Sequence, residues 1–114
     1  MPKAIKIMGA RISVMQMTNT QLQARIRQLA QDSGCVFILD HAQLRMQQRG
    51  VNDMEVLVCL RQGMVQRPAK VDATTGEVRV RMDHFGSARN LSVVVSLDDL
   101  EPNLLVVTVI TQVR

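Results

Sequence analysis

The feature that most constrains this chain is a change of hydrophobic period at Gly63. Before it, apolar residues recur every three or four positions, the spacing of one helix face; after it they alternate, the spacing of one sheet face. A sequence with that break reads as α-helices first and an antiparallel meander of about four strands second. The fold class is therefore α+β, with the N-terminal helices packed on one face of the sheet. At 114 residues the chain suits one compact domain.

The helical half divides at its caps. Leu22, Ile26, Leu29 and Ala30 form one apolar stripe, with Thr18, Asn19 or Thr20 able to cap the start and Ser33-Gly34 to stop the helix. "CVFIL" follows, as a strand or an extended lead-in. Asp40 then stands where a second helix needs an N-cap, and Gly50 ends that helix. Asn52 caps a third, with Glu55 completing a capping box, Val51 and Val56 placed as a hydrophobic staple, and Gly63 as the stop. Residues 1–17 show no sustained period and read as a loose arm or short strand.

In the second half, "GEVRVRM" points Val78, Val80 and Met82 inward and Arg79 and Arg81 outward. "LSVVVSL" and "LLVVTVI" are two further strands, the last almost wholly apolar and so central. Asp98–Asn103 connects them, and "DHFGSARN" is the turn before them. "MVQRPAKV" supplies an edge strand, because Pro68 has no N–H for an inner ladder.

His41, Arg45 and Arg49 follow one another at four-residue steps. They drift only about 80° around the helix over roughly 12 Å. Ala42 and Met46 lie beside them and face the sheet; Gln43 and Gln47 occupy the solvated side. Two guanidinium groups on one arc repel by a few tenths of a kcal/mol, which an anion between them would reverse. Arginines bind phosphate through forked donors, and a neutral imidazole is a base near pH 7. The plain alternative stays open: Arg45 or Arg49 pairs with Asp98, Asp99 or Glu101, and His41 helps to cap its helix.

The net charge is +4, and residues 1–31 hold five basic side chains and no acid. Such a half attracts phosphate backbones non-specifically. Aromatic residues are only 2% of the chain, Phe37 and Phe85, which disfavours folds that stack single-stranded bases on many rings. Cys35 and Cys59 sit in apolar company and read as free thiols of a reducing, cytoplasmic compartment. With His41 and His84 they lack zinc-site spacing, so no metal and no cofactor is expected. His84 reads as a turn histidine, or as a second acid or base if the sheet carries it to the first. No run is apolar enough to span a membrane.

The stretch "DHAQLRMQQRGVNDMEVLVCLRQG", followed by alternating strands and "LLVVTVITQ", resembles the domain-of-unknown-function 4258 family (DUF4258). Members show a His-Ala-x-x-Arg-Met-x-x-Arg-Gly-Ile helix, matched here from His41 to Val51, with Val51 in place of the usual Ile. The likeness covers residues 36–112. It divides the chain into an N-terminal arm and amphipathic helix, residues 1–35, and a family-like α+β domain, residues 36–114. The family is similar to a fold group containing barnase, the EndoU nucleases, colicin nuclease domains and RelE-like RNase toxins. That implies an RNase-like protein of toxin type, with His41, Arg45 and Arg49 as catalytic candidates and Arg79 and Arg81 extending the nucleic-acid surface. RNA and a cognate inhibitor protein are the implied partners. A non-catalytic RNA- or protein-binding accessory of a mobile element is the alternative, and a homodimer through the first helix is a third.

Overall fold

The computed structural model of the protein describes residues 13–86 and 89–113. The arm expected over residues 1–17 lies outside them except for its last five residues, where Val14–Gln16 form a short 3-10 turn. Helix α1 spans Asn19–Leu29, α2 Asp40–Arg49 and α3 Asp53–Gln62. The strands are β1 Val36–Ile38, β2 Lys70–Val71, β3 Val78–Phe85, β4 Asn90–Leu97 and β5 Leu105–Val113.

Local chemistry accounts for most of the boundaries. Thr18 caps α1 and Asn52 caps α3, each in a full capping box, with Gln21 and Glu55 reaching back to the cap N–H. Gly50 ends α2 in the left-handed region, φ 67°. Gly63 ends α3 for another reason: a Cβ there would run into the carbonyl oxygens of Cys59 and Asp83, so only glycine lets the helix end close on β3. One expected cap is displaced. Leu39 is the N-cap of α2 and makes no side-chain cap bond, and Asp40 is the first helical residue. The Leu39 N–H is already given to the Val107 carbonyl of β5, so the chain turns from strand to helix one residue early. Asp40 still places its charge in the first turn, where the helix dipole favours it.

The sheet has five strands rather than four, in the order β1-β5-β4-β3-β2, and it is mixed rather than wholly antiparallel. "VFI" is the added strand. It runs parallel to β5, with Val36, Phe37 and Ile38 opposite Leu105, Val106 and Val107. Short and apolar, it finds its partner near the far end of the chain, which no local pattern reveals. The edge strand before β3 is real but reduced to Lys70–Val71, and Met64 makes a single bridge to Asp83. β3 runs further than its alternation suggested, because His84 pairs with Leu91 and Phe85 with Asn90. His84 is thus a strand residue, not a turn residue.

One hydrophobic core joins the two layers. Leu22, Ile26 and Leu29 of α1, Val56 and Leu60 of α3, and Val78, Val80, Met82, Val93, Val95 and Val107 of the sheet are all buried within it. α1 packs on α3, which packs on β3 and β4, while α2 lies against β5 through Ala42 and Met46. Burying side chains of this size is worth about 1.5–3 kcal/mol each. Arginines fasten α1 to α3: Arg27 donates to the Gly63 carbonyl at 2.7 Å and Arg61 to that of Ala30 at 2.7 Å. The residues of β3 between the inward ones, Arg79, Arg81, Asp83 and Phe85, point to the face of the sheet that carries no helix.

Candidate nucleic-acid interface

β5 has a neighbour on its outer side only as far as Val107, where β1 gives way to α2. The next carbonyl, Thr108, belongs to a bulge, since Val94 pairs with Val109 but Val95 with Val107. An edge carbonyl at this depth needs a donor. His41, one helical residue past the start of α2, supplies it: its Nε2 lies 2.8 Å from the Thr108 oxygen. A carbonyl only accepts, so Nε2 carries the proton, and in the neutral ring Nδ1 is the acceptor. Among the described residues nothing bonds to Nδ1.

The four-residue row therefore runs along the uncovered half of β5. His41, Arg45 and Arg49 line one side of a cleft of about 160 Å³, and Thr108, Val109, Ile110 and Thr111 line the other. Cation and strand edge face each other along its length. The volume falls below the roughly 300–1,000 Å³ of a buried small-molecule site.

What the arginines lack is as informative as where they sit. Arg25 donates to the Pro102 carbonyl at 2.7 Å, Arg27 to Gly63 and Arg61 to Ala30. Arg79 meets Glu77 at 3.1 Å, Arg81 meets Asp83 at 2.7 Å, and Arg89 meets Glu55 at 2.8 Å. Among the described residues Arg45 and Arg49 meet no carboxylate and no carbonyl, a state shared only with Arg67 in the loop before β2. Two of the acids once open to them are engaged elsewhere, Asp99 accepting from the Ser13 hydroxyl and the Val14 N–H and Asp98 from the Leu100 N–H, and among the described residues Glu101 forms no ion pair with either arginine. Two unmatched cations thus stand on one arc beside a positioned imidazole.

The remaining candidates are not gathered here. Arg79 and Arg81 lie on the helix-free face of β3, two strands or about 10 Å from β5, each with its own carboxylate. His84 lines a different cleft, with Asn52, Glu55 and Arg89, so the two histidines do not share a site. Cys35 and Cys59 are both free thiols, and burial pushes Cys59 up to about 12, with the Asp83 carboxylate adding to the shift. Among the described residues no three His, Cys, Asp or Glu side chains converge as metal ligands. No described helix is long and apolar enough to cross a membrane. Sequence reasoning missed Thr108 and Arg89. A threonine inside an apolar strand was the available signal for the first; the second gave none.

A helical layer on a mixed sheet, with a cationic row laid along a bulged strand edge, defines an α+β domain with a cleft lined by two unmatched arginines. The chain belongs to the DUF4258 family: the family model, described as Domain of unknown function (DUF4258), matches residues 38–111, well over half of its length. No curated protein and no solved structure is significantly similar to it.

Proposed function

We propose that the α2–β5 cleft binds RNA through its phosphodiester backbone and that His41 acts there as the acid–base group of a small, RNase-like protein. The observation that carries this reading is the pair of unmatched arginines, Arg45 and Arg49, in one cleft with an imidazole whose Nδ1 is free to accept. The resemblance of the family to the barnase, EndoU, colicin and RelE-like group points the same way, as an analogy of fold and not of site.

The chemistry follows from the inventory. Nδ1 of His41 takes the proton of a ribose 2′-hydroxyl; the 2′-oxygen bonds to the adjacent phosphorus and the bond to the leaving 5′-oxygen breaks. Arg45 and Arg49 hold the phosphate oxygens and stabilise the charge that develops on them. One imidazole cannot stand on both sides of an in-line displacement. The leaving oxygen therefore takes its proton from water, and turnover is slow beside that of a two-histidine enzyme.

The same fact favours a second reading, RNA binding without cleavage, since the cleft holds no second acid–base side chain among its described lining. Incubating the full chain with end-labelled single-stranded RNA, with and without chelator, separates the two. The enzyme reading expects cleavage that survives chelator and falls about a hundredfold or more in His41→Ala. Intact RNA with the wild type, bound in a salt-sensitive way, leaves the binding reading alone.

A further inference from the structure

The chain has a larger cleft, on the helix-bearing side of the sheet, where the start of α3 meets the β3–β4 hairpin. Its volume is about 280 Å³, near the lower bound for small-ligand sites. Met54, Val58 and Leu91 give it apolar walls, and His84, Arg89 and Glu55 a polar margin. Met54 is 58% exposed, so its side chain stands open at the mouth of the cleft.

Most of the polar groups at the margin are already satisfied. Glu55 accepts from the Asn52 N–H at 3.1 Å and from Arg89 Nε at 2.8 Å, so the first turn of α3 is capped from within and its pair with Arg89 is neutral. His84 differs: its ring has no protein hydrogen bond among the described residues. Gly86 lies against that ring, where an added Cβ would stand 3.5 Å from Cε1. An apolar slot with one unspent imidazole and no net charge suits a flat heteroaromatic group better than an isolated anion.

One hydrogen bond links a residue of each cleft. Arg89, which lines this cleft, donates from Nη1 to the carbonyl of Arg49, the last residue of the cationic row, at 3.2 Å. We propose that this second cleft receives a nucleobase of the RNA whose phosphate rests at Arg49, with Met54 and Val58 against the ring face and His84 hydrogen-bonding its edge. The assignment rests on the RNA reading above and adds to it a base-binding subsite.

The test uses the full chain with carbon-13 methyl-labelled methionine, titrated separately with the 3′-monophosphates of adenosine, cytidine, guanosine and uridine and with inorganic phosphate. The expected result is that at least one nucleotide shifts both the Met54 methyl and the His84 ring resonances, while phosphate at the same concentration moves neither. His84→Ala should then weaken nucleotide binding about tenfold, as the loss of one base contact does. Met54→Ala, at an exposed position, should weaken it too without a question of folding. Failure of all four nucleotides to move Met54, or equal shifts with phosphate alone, overturns the assignment. The RNA reading fails separately: there, Arg45→Ala and Arg49→Ala leave RNA affinity unchanged whatever Met54 does.

Discussion

Two regions of this molecule carry paired arginines at regular spacing, and they treat them in opposite ways. On the helix-free face of the sheet, Arg79 and Arg81 alternate along β3 and each is matched to a carboxylate one strand pleat away. Asp83 is itself nearly buried, its Oδ1 accepting from Arg81 at 2.7 Å and from the Ser92 hydroxyl. Along the free edge of β5, Arg45 and Arg49 are equally regular and matched to nothing described. The first region uses its charges internally. The second leaves them unmatched, so the spacing of arginines in a sequence does not by itself tell the two arrangements apart.

The contrast predicts a ladder of effects on stability. At pH 7 the largest belongs to Arg81→Ala, which strands the buried Asp83 carboxylate with only Ser92 for company. Removing one partner of such a pair costs about 3 kcal/mol, read as a lower urea midpoint at pH 7. A change below about 0.5 kcal/mol would put Asp83 in contact with water and erase the contrast.

Above pH 9 a separate effect, the alkaline limb, depends on the same cluster. The Cys59 thiol ionises near 9.0 when unfolded but only at about 12 when folded, because burial and then Asp83 oppose its charge. Below pH 9 both states keep the proton and the group has no effect. Between pH 9 and 12 the unfolded chain alone releases it, so stability falls by up to about 1.4 kcal/mol per pH unit. Cys59→Ala should flatten that fall; an unchanged slope would show that the thiol contributes nothing to it. Iodoacetamide at pH 8 should correspondingly label the half-buried Cys35 and spare Cys59 until the chain is unfolded.

His41→Ala stands lower, because it removes one hydrogen bond to the Thr108 carbonyl, worth about 1 kcal/mol. Complete unfolding of that variant would make the imidazole a structural element first. Arg45→Ala and Arg49→Ala are expected at the bottom, within about 0.5 kcal/mol, since neither side chain holds anything described in place.

Much of this architecture was legible because it is written in local periods. The stripe of Leu22, Ile26 and Leu29, the Asn52–Glu55 capping box and the alternation of Val78, Val80 and Met82 each involve residues a turn or a pleat apart. What escaped depends on distant residues. β1 pairs with β5 across the whole intervening domain, and the bulge at Thr108 exists only through its register with Val94 and Val95. The row His41, Arg45, Arg49 was readable as a face of a helix. That it borders a strand edge, with His41 bonded to a carbonyl 67 residues on, was not. Nor could the sequence decide which arginines find carboxylates, because Asp98 and Asp99 are spent on turns and on the segment at Ser13.

The central claim is that the unmatched row, and not the matched pair, meets RNA phosphates. Fluorescence anisotropy of a labelled single-stranded RNA, titrated with the protein over a series of salt concentrations, tests it directly. Each phosphate contact on a single strand contributes about 0.7 to the slope of log affinity against log salt. The Arg45→Ala/Arg49→Ala double variant, which removes the one phosphate contact the two arginines share, should bind more weakly, with a slope shallower by about 0.7, while Arg79→Ala should match the wild type in both. Unchanged affinity and slope in the double variant, or the loss appearing in Arg79→Ala instead, would contradict the account.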